Sequence, residues 1–208
     1  MFGIIKTERK RMMRTGDFII TYKQIEFWPL DPKESEVDID DISHALGMLC
    51  RYNGHTLKYY SVGEHSIRVS YILPKNLRLM GLLHDASEAY ISDIPSPTKI
   101  YMQQYKEWEK EIEKVIYKKY ILLEKEDTMV KEADRIMLVT EMRDLLPSGL
   151  NPKWNIAKMG IKSLEKKIKR TMSPRIAERL FLARFNELYY NKKLSIINKL
   201  LMKYYGVM

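Results

Sequence analysis

Hydrophobic positions recur along most of this chain at intervals of three or four residues, the spacing of a buried helical face, and one early stretch departs from it. That stretch, "DFIITYKQIEFWPL" from Asp17 to Leu30, is rich in β-branched and aromatic residues and is broken by Lys23 and Gln24. It predicts a short hairpin. Everything after it reads as helix. Ile42, Ala45, Leu46 and Leu49 share one face of a helix capped by Asp40 or Asp41 and stopped by Asn53 and Gly54. Val62 to Leu73 is a second helix, ended by Pro74, and Leu79, Leu82, Leu83 and Ala86 predict a third that carries "HDASE". Pro95 and Pro97 mark a loop, after which Thr98 to Tyr120 forms a long amphipathic helix with Tyr105, Trp108, Ile112 and Ile116 on its stripe. Asp127 or Thr128 caps the next helix, whose buried side holds Val130, Ala133, Met137, Val139 and Met142. Ser173 with Pro174 opens another, and "KLSIINKLLMKYYG" is the last amphipathic segment.

The pattern predicts an all-α helical bundle with a short N-terminal β-hairpin. A chain of 208 residues buries about two thirds of its extended surface, enough for one domain with its own core. Residues 1–37 supply the hairpin and a linker, 38–147 the central helices, and 148–208 the C-terminal helices. On the helix from Ser173, Phe181, Leu182, Phe185, Leu188 and Tyr189 serve equally well as core or as a face between copies, and periodicity does not choose.

Composition narrows the class. Hydrophobic residues at 45% and charged residues at 30% lie outside the range of disordered chains. Thirty-six Lys and Arg against 27 Asp and Glu give a net charge of +9, which favours anionic partners, nucleotides and nucleic acids among them. Two runs concentrate it: "KTERKRMMR" near the N-terminus, and Lys158 to Arg170 with six cations against Glu165 alone. No helix-turn-helix, zinc-finger or aromatic RNA-binding motif accompanies them, so a solvated face is a better reading than a nucleic-acid-binding module. The single cysteine, Cys50, cannot form an internal disulfide, and the apolar run "ALGMLC" predicts a buried thiol. The segment "MFGIIKTERKRMM" has too few apolar residues for a signal-peptide core and no stretch reaches membrane-spanning length. A cytoplasmic protein is expected, with no membrane partner.

The candidate chemistry centres on "MGLLHDASEAYISDIPSP". His84 and Asp85, about 100° apart around a helix, both reach an ion lying against it. His65 and Asp134 sit mid-helix, each on or beside an apolar face. Burying such groups unpaired costs roughly 2 to 7 kcal/mol for a neutral one and far more for a charge, so each requires a partner. One shared ion serves all four. Two imidazoles and two carboxylates suit Mn, Fe, Co, Ni or Zn better than Ca or Mg. Glu88, one turn after His84, occupies a general-base position. Asp93, just past the helix end, can orient a water or protonate a leaving group, and the two roles are exchangeable. Adjacent His and Asp arise often by chance, and a lone histidine on an apolar face is usually structural, as His44 and His55 are expected to be.

The longer ordered set does more than the dipeptide. "CRYNGH", "YYSVGEHS", "LLHDASEAYISDIPSPTK" and "EADRIMLVTEMRDL" together resemble the HD-domain metal-dependent phosphohydrolases, specifically the small 5′-deoxynucleotidases, over about Asp38 to Pro147, with a weaker echo in "ARFNEL". The resemblance implies that His65, His84, Asp85 and Asp134 ligate one divalent transition-metal ion, that Glu88 and Asp93 are the catalytic carboxylates, and that Arg51 holds the substrate phosphate. A guanidinium suits that last role because it is always charged and bidentate toward phosphate oxygens. A related subgroup has tryptophan after this arginine, implicated in selecting deoxyribose; here the residue is Tyr52, which leaves sugar discrimination open. Lys99 contacts phosphate or is the first exposed lysine of the long helix, and Asn53 and His55 touch the nucleotide or shape their loop. The implied reaction is hydrolysis of deoxynucleoside 5′-monophosphates; a deoxynucleoside triphosphate triphosphohydrolase on the same scaffold is the alternative. Members of the family commonly dimerise, so a homo-oligomer is expected.

Overall fold

The computed structural model describes residues 14–120 and 127–208. The run "KTERKRMM" therefore lies outside the described residues. Two short antiparallel strands, β1 (Ile19–Ile20) and β2 (Glu26–Phe27), pair Ile19 with Phe27 and Ile20 with Glu26 around a turn in which Gln24 takes φ 63°. The expected hairpin is present. All other regular structure is helical: α1 (Ile39–Met48), α2 (Val62–Ile72), α3 (Arg78–Leu83), α4 (Glu88–Ile91), α5 (Ser96–Lys99), α6 (Gln103–Tyr120), α7 (Thr128–Leu145), α8 (Asn155–Lys158), α9 (Pro174–Tyr189) and α10 (Ile196–Tyr204), with single 3-10 turns at Glu34–Glu36, Arg51–Gly54 and Lys75–Leu77.

Several boundaries differ from the sequence expectation for local reasons. Asp38, not Asp40 or Asp41, caps α1, its carboxylate accepting from the backbone N–H of Asp40 and Asp41. Asp41 instead accepts from the Lys23 N–H at 2.6 Å and ties the hairpin to the bundle. Helix α1 ends at Met48, before the Asn-Gly stop, because Cys50 leaves the helix to form a bridge with Ser61. Cys50 is half-buried there rather than fully enclosed. The segment expected to run unbroken from Thr98 is split, α5 ending at Lys99 and α6 starting at Gln103.

One hydrophobic cluster runs from Phe27 on the hairpin to Met202 on α10. Phe181 and Phe185, fully buried on α9, belong to it and are core rather than a surface between copies. Phe27 stacks on Tyr90 of α4 at 3.8 Å between ring centroids, so the hairpin fixes the helix that follows the "HDAS" turn. Among the described residues no helix is long and apolar enough to cross a membrane.

Helix α9 packs most extensively against α1, and α1 also lies along α2. Both contacts depend on missing side chains. A Cβ on Gly47 would lie 2.9 Å from the Pro174 carbonyl oxygen and 3.1 Å from the Glu178 nitrogen, both backbone atoms of α9; one on Gly63 would lie 3.2 Å from the Gly47 nitrogen. Neither neighbour can rotate away. Gly47→Ala is therefore expected to destabilise the fold by about 1–3 kcal/mol, the usual cost of overpacking, although alanine is the better helix former. Denaturant unfolding checks this, and a variant as stable as the parent would show that α1 and α9 are not closely seated.

Candidate metal centre

Three elements converge on one point. His65 lies in the first turns of α2, which starts where the Ser61 hydroxyl oxygen accepts from the Glu64 N–H at 3.1 Å. The side chain is fully buried, and its Nδ1 lies 2.6 Å from Glu141 Oε1. A carboxylate only accepts, so Nδ1 carries the hydrogen and Nε2 points its lone pair away. His84 follows the last residue of α3 and arrives at the same state differently: its Nδ1 donates to the Gly81 carbonyl at 2.9 Å. The two Nε2 atoms face each other at 3.3 Å.

The carboxylates close the cluster. Asp134 Oδ1 lies 3.1 Å from His65 Nε2 and 3.9 Å from His84 Nε2; Asp85 Oδ2 lies 3.6 and 3.2 Å from the same atoms. One ligand atom from each of His65, His84 and Asp134 falls within 4.8 Å of the others, close enough to bind a metal ion. Two imidazole nitrogens this near each other cannot both carry hydrogens, and the oxygens around them are acceptors. Such a set is satisfied by a cation at its centre. Bonds of about 2.0–2.2 Å to one ion would separate neighbouring ligand atoms by roughly 3.0–3.5 Å, the range of most of these contacts.

His84 and Asp85 do not sit within one regular α-helix as expected. Backbone bonds from Ala86 to Leu83, Glu88 to Asp85 and Tyr90 to Ser87 span three residues, so the chain between α3 and α4 is a tightened turn. It still carries both side chains to the centre. Glu88, at the start of α4, is buried, and its Oε2 has no hydrogen-bond partner among the described residues. Burial, reinforced by the charges of Asp85 and Asp93, pushes its carboxyl well above the usual range. Asp93 is raised too, chiefly by burial and against the pull of Arg51. It follows Ser92, whose φ of 75° turns the chain back after α4, and the Tyr105 hydroxyl on α6 donates to the Ser92 carbonyl at 2.6 Å to hold that bend.

The two aspartates beside the histidines behave oppositely. Burial works against the charge of Asp85, but His84, His65 and Arg51 outweigh it and hold the group far below the carboxylate range. Asp134 is lowered likewise, with the His65 hydrogen bond offsetting burial.

The structure also brings in a residue the sequence reading passed over. Glu141, two turns after Asp134 on α7, is completely buried and gathers the site's supports. Besides His65, it accepts from the hydroxyls of Tyr52 and Tyr60, each at 2.8 Å, and pairs with Arg51 Nε at 3.2 Å. That last angle is too poor for a hydrogen bond, so the contact is Coulombic. Despite burial, Arg51 and His65 hold the Glu141 carboxyl down at about 2. The available signal was the seven-residue spacing from Asp134 inside "EADRIMLVTEMRDL", which places both acids on one helical face.

Arg51, mostly buried, extends Nη1 to 3.5 Å from Asp85 Oδ2, beside the cluster. The turn after it is left-handed at three successive residues, Tyr52 (φ 56°), Asn53 (φ 49°) and Gly54 (φ 78°). Such backbone costs about 1–2 kcal/mol per non-glycine residue and turns the Tyr52 hydroxyl inward to Glu141. Asn53 thus shapes the loop, while His55 is exposed. Lys99 is spoken for: it pairs with Glu109 and lies over the Tyr105 ring, yet its charge still reaches Glu88 and Asp93. His44 is structural, stacked on Tyr22 at 3.9 Å and paired with Glu178 at 3.2 Å.

A model of the family described as YfbR-like 5′-deoxynucleotidase matches residues 18–185. An uncharacterized protein of Escherichia coli, YfdR, is 38% identical over 173 residues, covering 82% of this chain and 95% of that protein. A protein of Erwinia tasmaniensis named 5′-deoxynucleotidase is 26% identical over 157 residues, 62% of this chain and 71% of its own length, and one of the same name from Cronobacter sakazakii is 25% identical over 153 residues, 64% and 73%.

Proposed function

The chain belongs to the YfbR-like 5′-deoxynucleotidase family, and on that premise we propose that it hydrolyses deoxynucleoside 5′-monophosphates to deoxynucleoside and phosphate. The observation that carries this reading is the convergence of two imidazole Nε2 atoms and two aspartates beside a buried arginine. His65, His84, Asp85 and Asp134 would hold one divalent transition-metal ion of the Mn, Fe, Co, Ni or Zn series. Bound there, such an ion supplies positive charge to the phosphoryl oxygens and acidifies water.

The remaining steps fall to the chain's own side chains. Arg51, with its Nε side held by Glu141, offers its outer nitrogens to the phosphoryl group and keeps it in line. Glu88 and Asp93 form the proton-handling pair, one taking a proton from the attacking water and the other giving one to the departing 5′-oxygen. Burial raises both carboxyls, Glu88 the more, and the charge of Asp93 adds to the rise at Glu88, which favours one protonated acid and one ionised base. Tyr52 has its hydroxyl committed to Glu141, so any crowding of a ribose 2′-hydroxyl falls to its ring.

A panel of deoxy- and ribonucleotides, mono- and triphosphates, assayed with each of these ions and with chelator, tests the reading. Phosphate release from deoxynucleoside monophosphates should dominate, vanish in chelator and return with a transition metal. Turnover that persists in chelator in metal-free protein would sink it, and release of intact tripolyphosphate would reassign the enzyme as a triphosphohydrolase.

A further inference from the structure

The basic run from Lys158 to Arg170, unremarkable as a sequence, is folded into a concavity. After α8 the chain forms no helix or strand until α9 and passes over the back of α2. A buried ion pair fixes it there. Arg68 pairs with Glu64 at 2.6 Å and donates to the carbonyls of Tyr205 at 3.0 Å and Arg170 at 3.3 Å, while Glu64 accepts from the Met172 N–H at 2.6 Å. The basic segment and the end of α10 are thereby held side by side and border a half-open cavity of about 510 Å³, within the roughly 300–1,000 Å³ usual for small-ligand sites.

Five cations line it, Lys166, Lys167, Lys169, Arg170 and Lys203, against a single acid, Glu165. Lys166 donates to the Met208 carbonyl at 2.9 Å. Lys167, Lys169 and Lys203 make no ion pair among the described residues; Asp144, whose carboxyl Lys167 helps to lower, is taken up by Arg143 and the Ile168 N–H. Arg170 lies over the ring of Tyr204 at 4.5 Å. Like charges gathered in a concavity repel one another, and a bound polyanion relieves that repulsion. The Arg170–Tyr204 pair adds a planar surface on which a base can stack.

We propose that this cavity is a binding site for an oligophosphate, with a nucleoside triphosphate as its ligand class: Lys167, Lys169 and Lys203 take the phosphates, and Tyr204 with Arg170 takes the base. The site is distinct from the metal centre and does not depend on the reaction proposed above. Its confinement to the loop around Glu165–Arg170 and the end of α10 favours a small ligand over a nucleic-acid strand, which needs a continuous basic track.

Calorimetry on the full chain in chelator at low salt, with inorganic tripolyphosphate, ATP and a single-stranded oligonucleotide as probes, tests this. Tripolyphosphate and ATP should both bind, ATP the tighter by at least about threefold, since base stacking adds to the charge term. Lys169→Glu with Lys203→Glu should weaken both by at least about tenfold, Tyr204→Ala should reduce ATP to the level of tripolyphosphate, and Arg51→Ala should change neither. Should the double variant lose the parental melting temperature, Lys203→Gln alone should still weaken binding by about threefold. The proposal is overturned if neither anion binds, if charge reversal leaves the affinities unmoved, if Arg51→Ala abolishes binding, or if the oligonucleotide binds more than about tenfold tighter than ATP, which would mark a strand surface.

Discussion

Asp134→Ala is expected to lower phosphate release from a deoxynucleoside monophosphate by at least about a thousandfold, because Lewis-acid stabilisation by a held ion contributes several kcal/mol and about 4 kcal/mol corresponds to that factor. The carboxylate lies 3.1 and 3.9 Å from the two histidine Nε2 atoms, so its loss opens the cluster without touching the core. Metal content, measured by elemental analysis after dialysis against each ion, should fall with the rate. A variant that keeps both its metal and its turnover would remove Asp134 from the site. Substitution at an exposed helix position of α7 such as Arg135 should leave both unchanged.

The second large effect is on stability. Glu141 is the buried acceptor for Tyr52, Tyr60 and His65 and the counter-charge for Arg51. Replacement by alanine leaves a buried guanidinium with only its longer contact to Asp85 and strips two hydroxyls of their acceptor, which places the loss at roughly 3–5 kcal/mol. Glu141→Gln, nearly isosteric, isolates the charge. The carboxyl is held near 2 in the folded chain against an unfolded value of 4.5, so ionisation favours the fold wherever the unfolded group is already ionised. That contribution, about 3 kcal/mol from the size of the shift, is fully present above about pH 4.5 and is lost as pH falls toward 2. The difference in unfolding free energy between the parent and Glu141→Gln, measured in chelator, should therefore be widest at neutral pH and narrow steadily on acidification. A difference independent of pH would show that packing, not charge, carries the effect.

The helical architecture was legible because each long helix hides one face, and three-to-four-residue spacing records that directly. What local pattern could not give was where chain geometry yields to contacts distant in sequence. Cys50 leaves α1 early to pair with Ser61, and the "HDAS" turn leads straight into Tyr90, which Phe27 of the hairpin holds by stacking. His65, His84, Asp85 and Asp134 lie together, and each was visible singly as a polar interruption on or beside an apolar face. Glu141 showed only as a second acid on the Asp134 face of its helix, since nothing in its own segment says that a histidine, an arginine and two tyrosines from elsewhere will converge on it. Lys99, expected either to contact phosphate or to be the first exposed lysine of the long helix, is half-buried and paired with Glu109 on α6.

Because His65 and His84 reach each other only after α2 and the turn beyond α3 have docked, an unfolded chain offers no comparable grip on an ion. With the proposed ion bound, uptake and folding would be two readings of one equilibrium: a hundredfold excess of an accepted ion over its dissociation constant adds about 2.7 kcal/mol to the native state. The melting temperature in a titration series thus becomes a ranking of ions by affinity, obtained with no substrate present.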